Sequence, residues 1–306
     1  MSLTAEDIAT LNQDADLDEP LRRVAYEAGM LLGLEATRDE QVYHRRRLTR
    51  QQYWLHGAGT LAGLRVRVES VPPPASAPAG TAARVRLLVG PGIGIDGLGR
   101  EILVHETHCL DLADWLGAQD QTTLADGFDV ANTRLNLRIS ARYQDCPVAA
   151  QPVLARKLNL GTDAVAASRI ADAVALEIEA ESPAAVAATP PFTPWPLHGP
   201  LDGPMPPLSE AETIALAAAD LESAAAGARM RMRLRLLHLF DGGGWSPPGT
   251  LSDLLGRARL PLARVAIQTP DPATVAGTLT AAVVSVDNLS RPFVPTAAQL
   301  AHLGGA

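Results

Sequence analysis

Two histidines and a cysteine lie close together near the middle of the sequence and have the chemistry of metal ligands. His105, His108 and Cys109 carry imidazole and thiol groups, which are the usual zinc ligands in proteins. The two histidines are three residues apart, whereas the H-E-x-x-H pattern of zinc enzymes places them four apart on one helix face. We therefore predict a strand end with partly buried histidines. A zinc-dependent hydrolase that uses these three residues, with Cys146 or His198 as a further ligand, stays an alternative.

A second pattern, Gly92-x-Gly94-x-x-Gly97, has the spacing of a dinucleotide-binding fingerprint. That fingerprint needs a following helix, whose N-terminal N–H groups and dipole hold a pyrophosphate. The residues after Gly97, LGREILV, are strand-like and contain no helix-start signal. We therefore predict a turn between two strands, in which the glycines and Asp96 suit positive backbone angles.

The densest cluster of basic residues is interleaved with aromatic residues, a composition that can stack on bases and neutralise phosphates. The cluster comprises Arg45, Arg46, Arg47, Arg50, Tyr43, Tyr53 and Trp54. A helix of ~3.6 residues per turn spreads these arginines around its circumference, and the net charge of −8 repels nucleic acid. Arginine and aromatic residues are also enriched in buried protein interfaces. We predict protein contact, with the acidic first 20 residues of this or a neighbouring subunit supplying the opposite charge.

The composition argues against several other classes of protein. There is no G-x-S-x-G elbow, no P-loop and only one lysine, Lys157, so phosphate handling and Schiff-base chemistry lack their usual residues. Hydrophobic residues make up 47% and aromatic residues 4% of the chain, which predicts an aliphatic core. Cys109 and Cys146 occur without a secretory signal pattern, so we expect reduced, buried thiols in a cytosolic protein. No apolar run approaches the ~20 residues of a membrane helix.

Helical patterns dominate the first part of the chain. Pro20 and the spacing of Leu21, Val24, Ala25, Ala28 and Leu31 predict a helix with one buried face. Thr37 and Glu40 form a capping-box pattern, which predicts a second helix from about Arg38 to His56. Gly57 and Gly59 then end this helix and provide a glycine hinge.

Strand patterns follow, separated by turn and loop residues. Alternating or branched apolar residues predict strands at 64–71, 83–89, 100–105, 134–143 and 173–179, and the first two form a long hairpin around a proline-rich loop. Residues 183–207 are rich in proline and lack any periodicity, so we expect an exposed connection there.

After this connection, Ser209 predicts the start of an alanine-rich helix that ends near Arg229. MRMRLRLLHLF alternates from Met230 onward and predicts a strand, and two more strands and a short helix near Pro295 follow. The expected fold is therefore α+β, with a helical N-terminal arm, a β-rich middle with long hairpins and a smaller α+β C-terminal part. The predicted units are residues 1–62, 63–182, the connection 183–207 and 208–306.

The stretch from Tyr26 to Val104 resembles a bacterial protein family associated with phage-tail-like contractile injection systems. The family pattern combines a leading G-x-L-L, an E-Q-x-Y-H helix, a h-G-x-G-x-x-x-G-L-x-V hinge and a P-G-x-x-I-D-x-x-G-R-E-I hairpin. The matching residues are Glu40, Gln41, Tyr43, His44, His56, Gly57, Gly59, Gly63, Leu64, Pro91, Gly92, Ile95, Asp96, Gly99, Arg100, Glu101 and Ile102, while Gly29 to Leu32 departs slightly. Weaker similarities follow in order in RYQDCPV, SRIAD, LARVAI and NLSRPF.

The resemblance implies a structural part of such a particle: a cap, adaptor or baseplate-associated subunit present in symmetric copies. The implied partners are sheath, tube, cap or baseplate proteins, with neither nucleic acid nor a membrane span. It implies no enzymatic activity and no cofactor. The implied location is the cytoplasm, within an assembled particle that cells can release.

We predict that residues of this segment serve as interface or structural positions. They are Tyr43, His44, Arg45, Trp54, His56, Gly57, Gly59, Asp96, Arg100 and Glu101. Glu101 or Arg100 is expected to tie the predicted hairpin to the arginine-rich helix by a salt bridge. A carbohydrate- or surface-binding module of a tail fibre is the remaining alternative, because Trp195 and Trp245 occur in loops rich in proline and glycine.

Overall fold

A computed structural model describes residues 5–15, 20–78, 80–152, 165–188, 207–239, 249–296 and 299–300. The fold is α+β, as predicted, with a helical N-terminal region, a β-rich middle and a mixed C-terminal part. Within these ranges, no helix is both long enough and apolar enough to cross a membrane.

The helices and strands occur in the following order along the chain. The helices are α1 (Ala5–Ala15), α2 (Leu34–His56), α3 (Leu112–Gly117), α4 (Gln121–Asp126), α5 (Pro183–Ala188), α6 (Glu210–Glu222), α7 (Ala224–Leu237), α8 (Leu251–Arg257) and α9 (Val275–Thr278). The strands are β1 (Gly59–Gly63), β2 (Val66–Val71), β3 (Arg84–Val89), β4 (Gly92–Ile95), β5 (Glu101–Val104), β6 (His108–Asp111), β7 (Phe128–Asp129), β8 (Arg134–Pro152), β9 (Val165–Ala180), β10 (Arg259–Gln268) and β11 (Val284–Asp287).

The strands of the described residues form three antiparallel sheets. Strands β1, β4 and β5 make the first sheet in that order, and β2, β3 and β6 make the second. The third sheet has the order β11-β10-β8-β7, and β9 also pairs with β8. This third sheet is shared between the predicted β-rich middle and the predicted C-terminal part, since β10 pairs with β8 from Arg259 opposite Arg142 to Gln268 opposite Arg134.

The main core is aliphatic, as the composition predicts. It joins inward-facing residues of β2, β3, β5, β8 and β10 with one side of α3. Its largest fully buried side chains include Leu64, Leu87, Ile102, Leu112, Leu135, Leu137 and Ile139. The β2–β3 pairing, from Val66 opposite Val89 to Val71 opposite Arg84, confirms the predicted hairpin.

The predicted helix over Leu21–Leu31 is wrong. Residues 20–33 contain no helix or strand, and Leu31 is 99% exposed. Gly29 has a φ of +87°, which a helix does not accommodate. Helix α2 also begins earlier than predicted, because Gly33 rather than Thr37 is its N-cap and the Thr37 hydroxyl donates to the Gly33 carbonyl.

The predicted strand from Met230 onward is also wrong, because these residues belong to helix α7. The predicted single helix from Ser209 to Arg229 instead ends at Glu222, where Ser223 adopts an extended conformation and caps α7 by accepting from Ala226 N–H. The alternation of arginine and apolar residues fits a strand period as well as it fits this helix, whose inner face packs on α6.

The β8–β9 hairpin is longer than the two predicted strands. Its outer half, from Cys146 opposite Ala171 to Pro152 opposite Val165, extends past the end of β10. Cys146 lies in this half, and both Cys146 and Cys109 are exposed free thiols, which corrects the expectation of buried ones. The start of the predicted connection forms α5, and the rest of it up to residue 206 lies outside the described residues, as does most of the predicted last helix.

Candidate docking site around helix α2

Helix α2 is long but mostly exposed. Of its 23 residues, only Thr49 and Tyr53 are buried. The helix ends where the sequence predicts, since Gly57 adopts a φ of +72° and its N–H donates to the Tyr53 carbonyl. The helix therefore contacts the body of the protein along a narrow stripe and presents the rest of its surface to solvent.

The turn between β4 and β5 lies beneath this stripe and contains a buried ion pair. Asp96 is fully buried and accepts hydrogen bonds from Leu98 N–H, Arg100 N–H and Arg100 Nε, at 2.9, 2.9 and 2.8 Å. Arg100 is 6% exposed, and its Nη2 lies 2.7 Å from Asp96 Oδ2. Burial raises the pKa of Asp96, while the Arg100 guanidinium and the N–H donors oppose this rise. The antiparallel pairing of β4 with β5 confirms the predicted turn and contradicts the dinucleotide fingerprint. The positive backbone angle predicted for Asp96 and the fingerprint glycines is wrong, because in this turn it occurs at Gly99 instead.

Gly99 brings this turn into direct contact with helix α2. It has a φ of +77°, and a Cβ atom at this position would lie 2.0 Å from the carbonyl oxygen of Thr49. On the neighbouring side, Gly97 N–H donates to the Arg257 carbonyl at the end of α8. The turn thus positions α2 and α8 relative to the first sheet.

The predicted salt bridge from Arg100 or Glu101 to α2 is wrong for both residues. Arg100 pairs with Asp96 of its own turn, and its guanidinium lies 5.3 Å from the ring centroid of Tyr143. Glu101 is exposed and, within the described ranges, takes part in no ion pair. The Tyr143 hydroxyl lies 2.8 Å from Asp145 Oδ1 and 2.7 Å from Asp172 Oδ1, and burial together with these carboxylates raises its pKa.

The acidic N-terminal region supplies a partner to the arginine cluster within the same chain. Arg45 Nη2 lies 3.2 Å from Asp14 Oδ1 and also donates to Gln13 Oε1 of helix α1. Burial raises the pKa of Asp14, and Arg45 opposes this rise. Helix α1 is held in place by a small apolar cluster, which comprises Leu11, Ala15, Leu98, Leu254 and Ala258.

The glycine hinge after α2 contains strand β1, which sequence analysis missed. Gly59 has a φ of +154°, and a Cβ atom there would lie 2.8 Å from Val294 Cγ2. Thr60 N–H donates to the Pro292 carbonyl, and Val294 N–H donates to the Thr60 carbonyl. The hinge therefore belongs to the first sheet through β1, and hydrogen bonds of Thr60 attach it to the end of the C-terminal NLSRPF segment.

Two residues of that segment have structural roles that sequence analysis did not assign. Asn288 accepts from Val66 N–H at 2.8 Å and donates to the Val66 carbonyl at 2.9 Å. Arg291 is 2% exposed and donates to the carbonyls of Asn288 and Leu64. Burial lowers the pKa of Arg291 to about 10. The only earlier signal was the weak similarity of NLSRPF to the family pattern.

The outer side of α2 carries a shallow groove with the composition of a protein interface. The residues that line it are Leu21, Tyr43, Arg47, Arg50, Gln51, Trp54 and Leu55. Arg47 Nη1 donates to the Tyr43 hydroxyl at 2.8 Å, which holds both side chains in position. Trp54 packs edge-to-face on buried Tyr53, with ring centroids 5.4 Å apart. Two of the predicted contact residues, Tyr43 and Trp54, therefore come together in this groove.

Large apolar side chains are exposed in the segment that leads into α2 and at the first residue of that helix, Leu34. Tyr26, Met30, Leu31, Leu32 and Leu34 are 61%, 57%, 99%, 46% and 67% exposed. We call these five residues, together with the groove, the docking surface. Clustered exposure of large apolar side chains is typical of protein-contact sites.

Two other predicted contact residues, His44 and His56, are exposed on helix α2 but do not line the groove. His44 is exposed and lies 3.0 Å from Glu40 Oε1, and Glu40 also accepts from Val24 N–H of the preceding segment. His56 is exposed at the last position of α2. The Glu40 carboxylate thus links the apolar segment to the helix.

The alternative functional sites gain no support from the structure. His105 and Cys109 are exposed and His108 is half-buried, and no three His, Cys, Asp or Glu side chains of the described residues form a group able to hold a metal ion. Trp195 and Trp245, on which the glycan-binding alternative depends, lie outside the described residues. No protein-family model matches the chain, and no curated protein is significantly similar to it.

Proposed function

We propose that this protein is a non-enzymatic structural or adaptor subunit that binds other proteins through the docking surface. The observation that carries this proposal is the exposure of five large apolar residues between Tyr26 and Leu34, where the chain leads into helix α2, together with the groove of aromatic and arginine side chains on that same helix. Burial of a leucine side chain in an interface contributes about 1.5–3 kcal/mol. Leu31 and Leu34 alone therefore provide enough binding energy to matter for assembly.

The proposed setting is a phage-tail-like contractile injection particle, with sheath, tube, cap or baseplate proteins as partners. The support for this setting is the sequence pattern from Tyr26 to Val104. The structure supplies a physical use for the pattern, because its hinge glycines and its Asp96–Arg100 turn hold α2 in place. The pattern residues thus fix the helix that carries the docking surface.

The test is incorporation of the chain into purified particles from a producing cell. A variant with Leu31→Asp and Leu34→Asp keeps its fold, since both side chains are exposed and aspartate is favourable in the first turn of α2. We expect a loss of incorporation of roughly 100-fold, measured by quantitative mass spectrometry of the particles.

The matched control is Leu251→Asp, because Leu251 is also exposed, at 49%, and begins helix α8. This control should enter particles like the wild-type chain. Equal incorporation of both variants would contradict the proposed docking surface, and absence of the wild-type chain from particles would contradict the proposed setting.

A further inference from the structure

Helices α6 and α7 form a hairpin in which the two helices carry opposite charge. Helix α6 contains only acidic charged residues, which are Glu210, Glu212, Asp220 and Glu222. Helix α7 contains only basic ones, which are Arg229, Arg231, Arg233 and Arg235. The two helices pack on each other through Ala226, Gly227 and Leu234 of α7.

Contacts within the hairpin use only part of this charge. Arg231 Nη1 lies 2.7 Å from Asp220 Oδ1, and His238 Nε2 lies 2.6 Å from Glu212 Oε1. Glu210, Glu222, Arg229 and Arg233 are exposed, and they form no ion pair within the part of the chain that the structure describes. Two carboxylates on α6 and two guanidinium groups on α7 therefore face solvent.

The outer face of α6 combines an apolar stripe with one carboxylate at its N-terminal end. Glu210, Ile214, Ala217 and Leu221 recur at intervals of four, three and four residues, so they share one side of the helix. Ile214 is 63% exposed and Leu221 is 89% exposed. This side lies opposite the half-buried residues, such as Leu216 and Ala219, that face α7.

The outer face of α7 has the same spacing with the opposite charge. Ala225, Arg229, Met232 and Leu236 are all exposed, Met232 to 47% and Leu236 to 53%. They lie opposite the buried residues of α7, so the two outer faces lie on opposite sides of the hairpin. Each face has the spacing with which two helices pack side by side.

We propose that the hairpin joins copies of this chain head to tail, with the outer face of α6 in one copy packed on the outer face of α7 in the next copy. Pairing two α6 faces would bring carboxylates together, and pairing two α7 faces would bring arginines together. Only the unlike pairing buries both apolar stripes and brings opposite charges together. Because the two faces differ, the contact is heterologous and generates a ring or an open filament.

This inference is independent of the docking surface, because it involves a different part of the chain and a second copy of the same protein. Its test uses only the purified full-length chain. Failure of either proposal therefore leaves the other one standing.

The experiment uses two variants that each lose one face. Ile214→Asp with Leu221→Asp removes the α6 face, and Met232→Asp with Leu236→Asp removes the α7 face. We expect the wild-type chain to form large assemblies and each variant alone to have the 32.2 kDa mass of one chain. An equimolar mixture should give a complex of twice that mass and nothing larger, because one intact α6 face meets one intact α7 face. Light scattering after size-exclusion chromatography measures these masses.

Leu251→Asp is again the matched control and should assemble like the wild-type chain, while circular dichroism verifies that both variants stay helical. Three outcomes would overturn the proposal. These are a wild-type chain that stays at the mass of one chain through a concentration series, self-association of one variant alone, and a mixture that forms no complex. Self-association of one variant would identify a contact between like faces instead.

Discussion

The Asp96–Arg100 turn and the docking surface both adjoin helix α2, yet they use similar residue types in opposite ways. In the turn, the Arg100 guanidinium is buried against a carboxylate and a tyrosine ring. On the docking surface, Arg47 and the five apolar residues between Tyr26 and Leu34 are exposed. An interaction completed inside the chain stabilises the fold, whereas an exposed side chain contributes little to it. The comparison predicts that substitutions in the turn change stability and that substitutions on the surface do not.

Removal of the Asp96 carboxylate should have the largest effect on stability. Asp96→Ala leaves the buried Arg100 charge unpaired and deprives two backbone N–H groups of their acceptor. We expect the free energy of unfolding to fall by about 3–5 kcal/mol, as for other buried pairs that lose one partner. Denaturant unfolding measures this change.

The matched control for this variant is Asp120→Ala. Asp120 is exposed and caps helix α4 by accepting from Thr123 N–H, so its loss should cost only about 1 kcal/mol. Equal effects of the two substitutions would show that burial of the Asp96 pair contributes nothing to stability.

A second pair of variants separates backbone strain from close contact at the same helix. Gly57 and Gly99 both have a positive φ, but a Cβ atom at Gly57 would meet no atom within 4 Å. Gly57→Ala should therefore cost only the backbone strain, which is about 1–3 kcal/mol for this conformation. Gly99→Ala should cost about 1–3 kcal/mol more, because its Cβ overlaps the Thr49 carbonyl and separates the turn from α2.

Thermal unfolding of both glycine variants measures the difference. If the two variants lose the same stability, the close approach between the turn and α2 is not required for the fold. A larger loss for Gly57→Ala would reverse the proposed roles of the two glycines.

The comparison of buried and exposed interactions also applies to an uncharged side chain, that of Asn288 in the NLSRPF segment. Asn288→Ala removes both hydrogen bonds between this side chain and the backbone of Val66, so we expect a loss of about 1–3 kcal/mol. Asn132→Ala is the control, since Asn132 is exposed in a turn, and it should cost less than about 1 kcal/mol. If chemical denaturation gives the two variants a similar loss in the free energy of unfolding, Asn288 is not one of the residues that fix the hinge.

The sequence predicts best those elements whose signal is local. The β2–β3 hairpin follows from alternation in LRVRVESV and ARVRLLV, and the end of α2 follows from Gly57. The turn at Asp96 follows from its glycines and from the strand-like residues after it. In each case the period or the backbone requirement is contained in a few neighbouring residues.

Long-range packing decides the elements that the sequence predicts wrongly. Alternation from Met230 fits a strand, but the helical partner α6 and the Ser223 cap stabilise helix α7 instead. In the turn, the charges of Arg100 and Glu101 do not reveal whether a partner is local or distant, and Asp96 lies only four residues before Arg100. The roles of Asn288 and Arg291 depend on backbone groups more than 200 residues away, which no local pattern identifies.

Substitution of Leu31 should have the smallest effect on stability and so tests the other side of the comparison. Leu31 is 99% exposed, so Leu31→Ala should change the free energy of unfolding by less than about 0.5 kcal/mol. Leu98 is the reference, because it is 1% exposed within the Asp96–Arg100 turn, and Leu98→Ala should cost about 2–5 kcal/mol. Denaturant unfolding of the isolated chain measures both values. A stability loss at Leu31 comparable to that at Leu98 would mean that the segment before α2 is buried in the isolated protein, and Leu31 would then not be available to a partner.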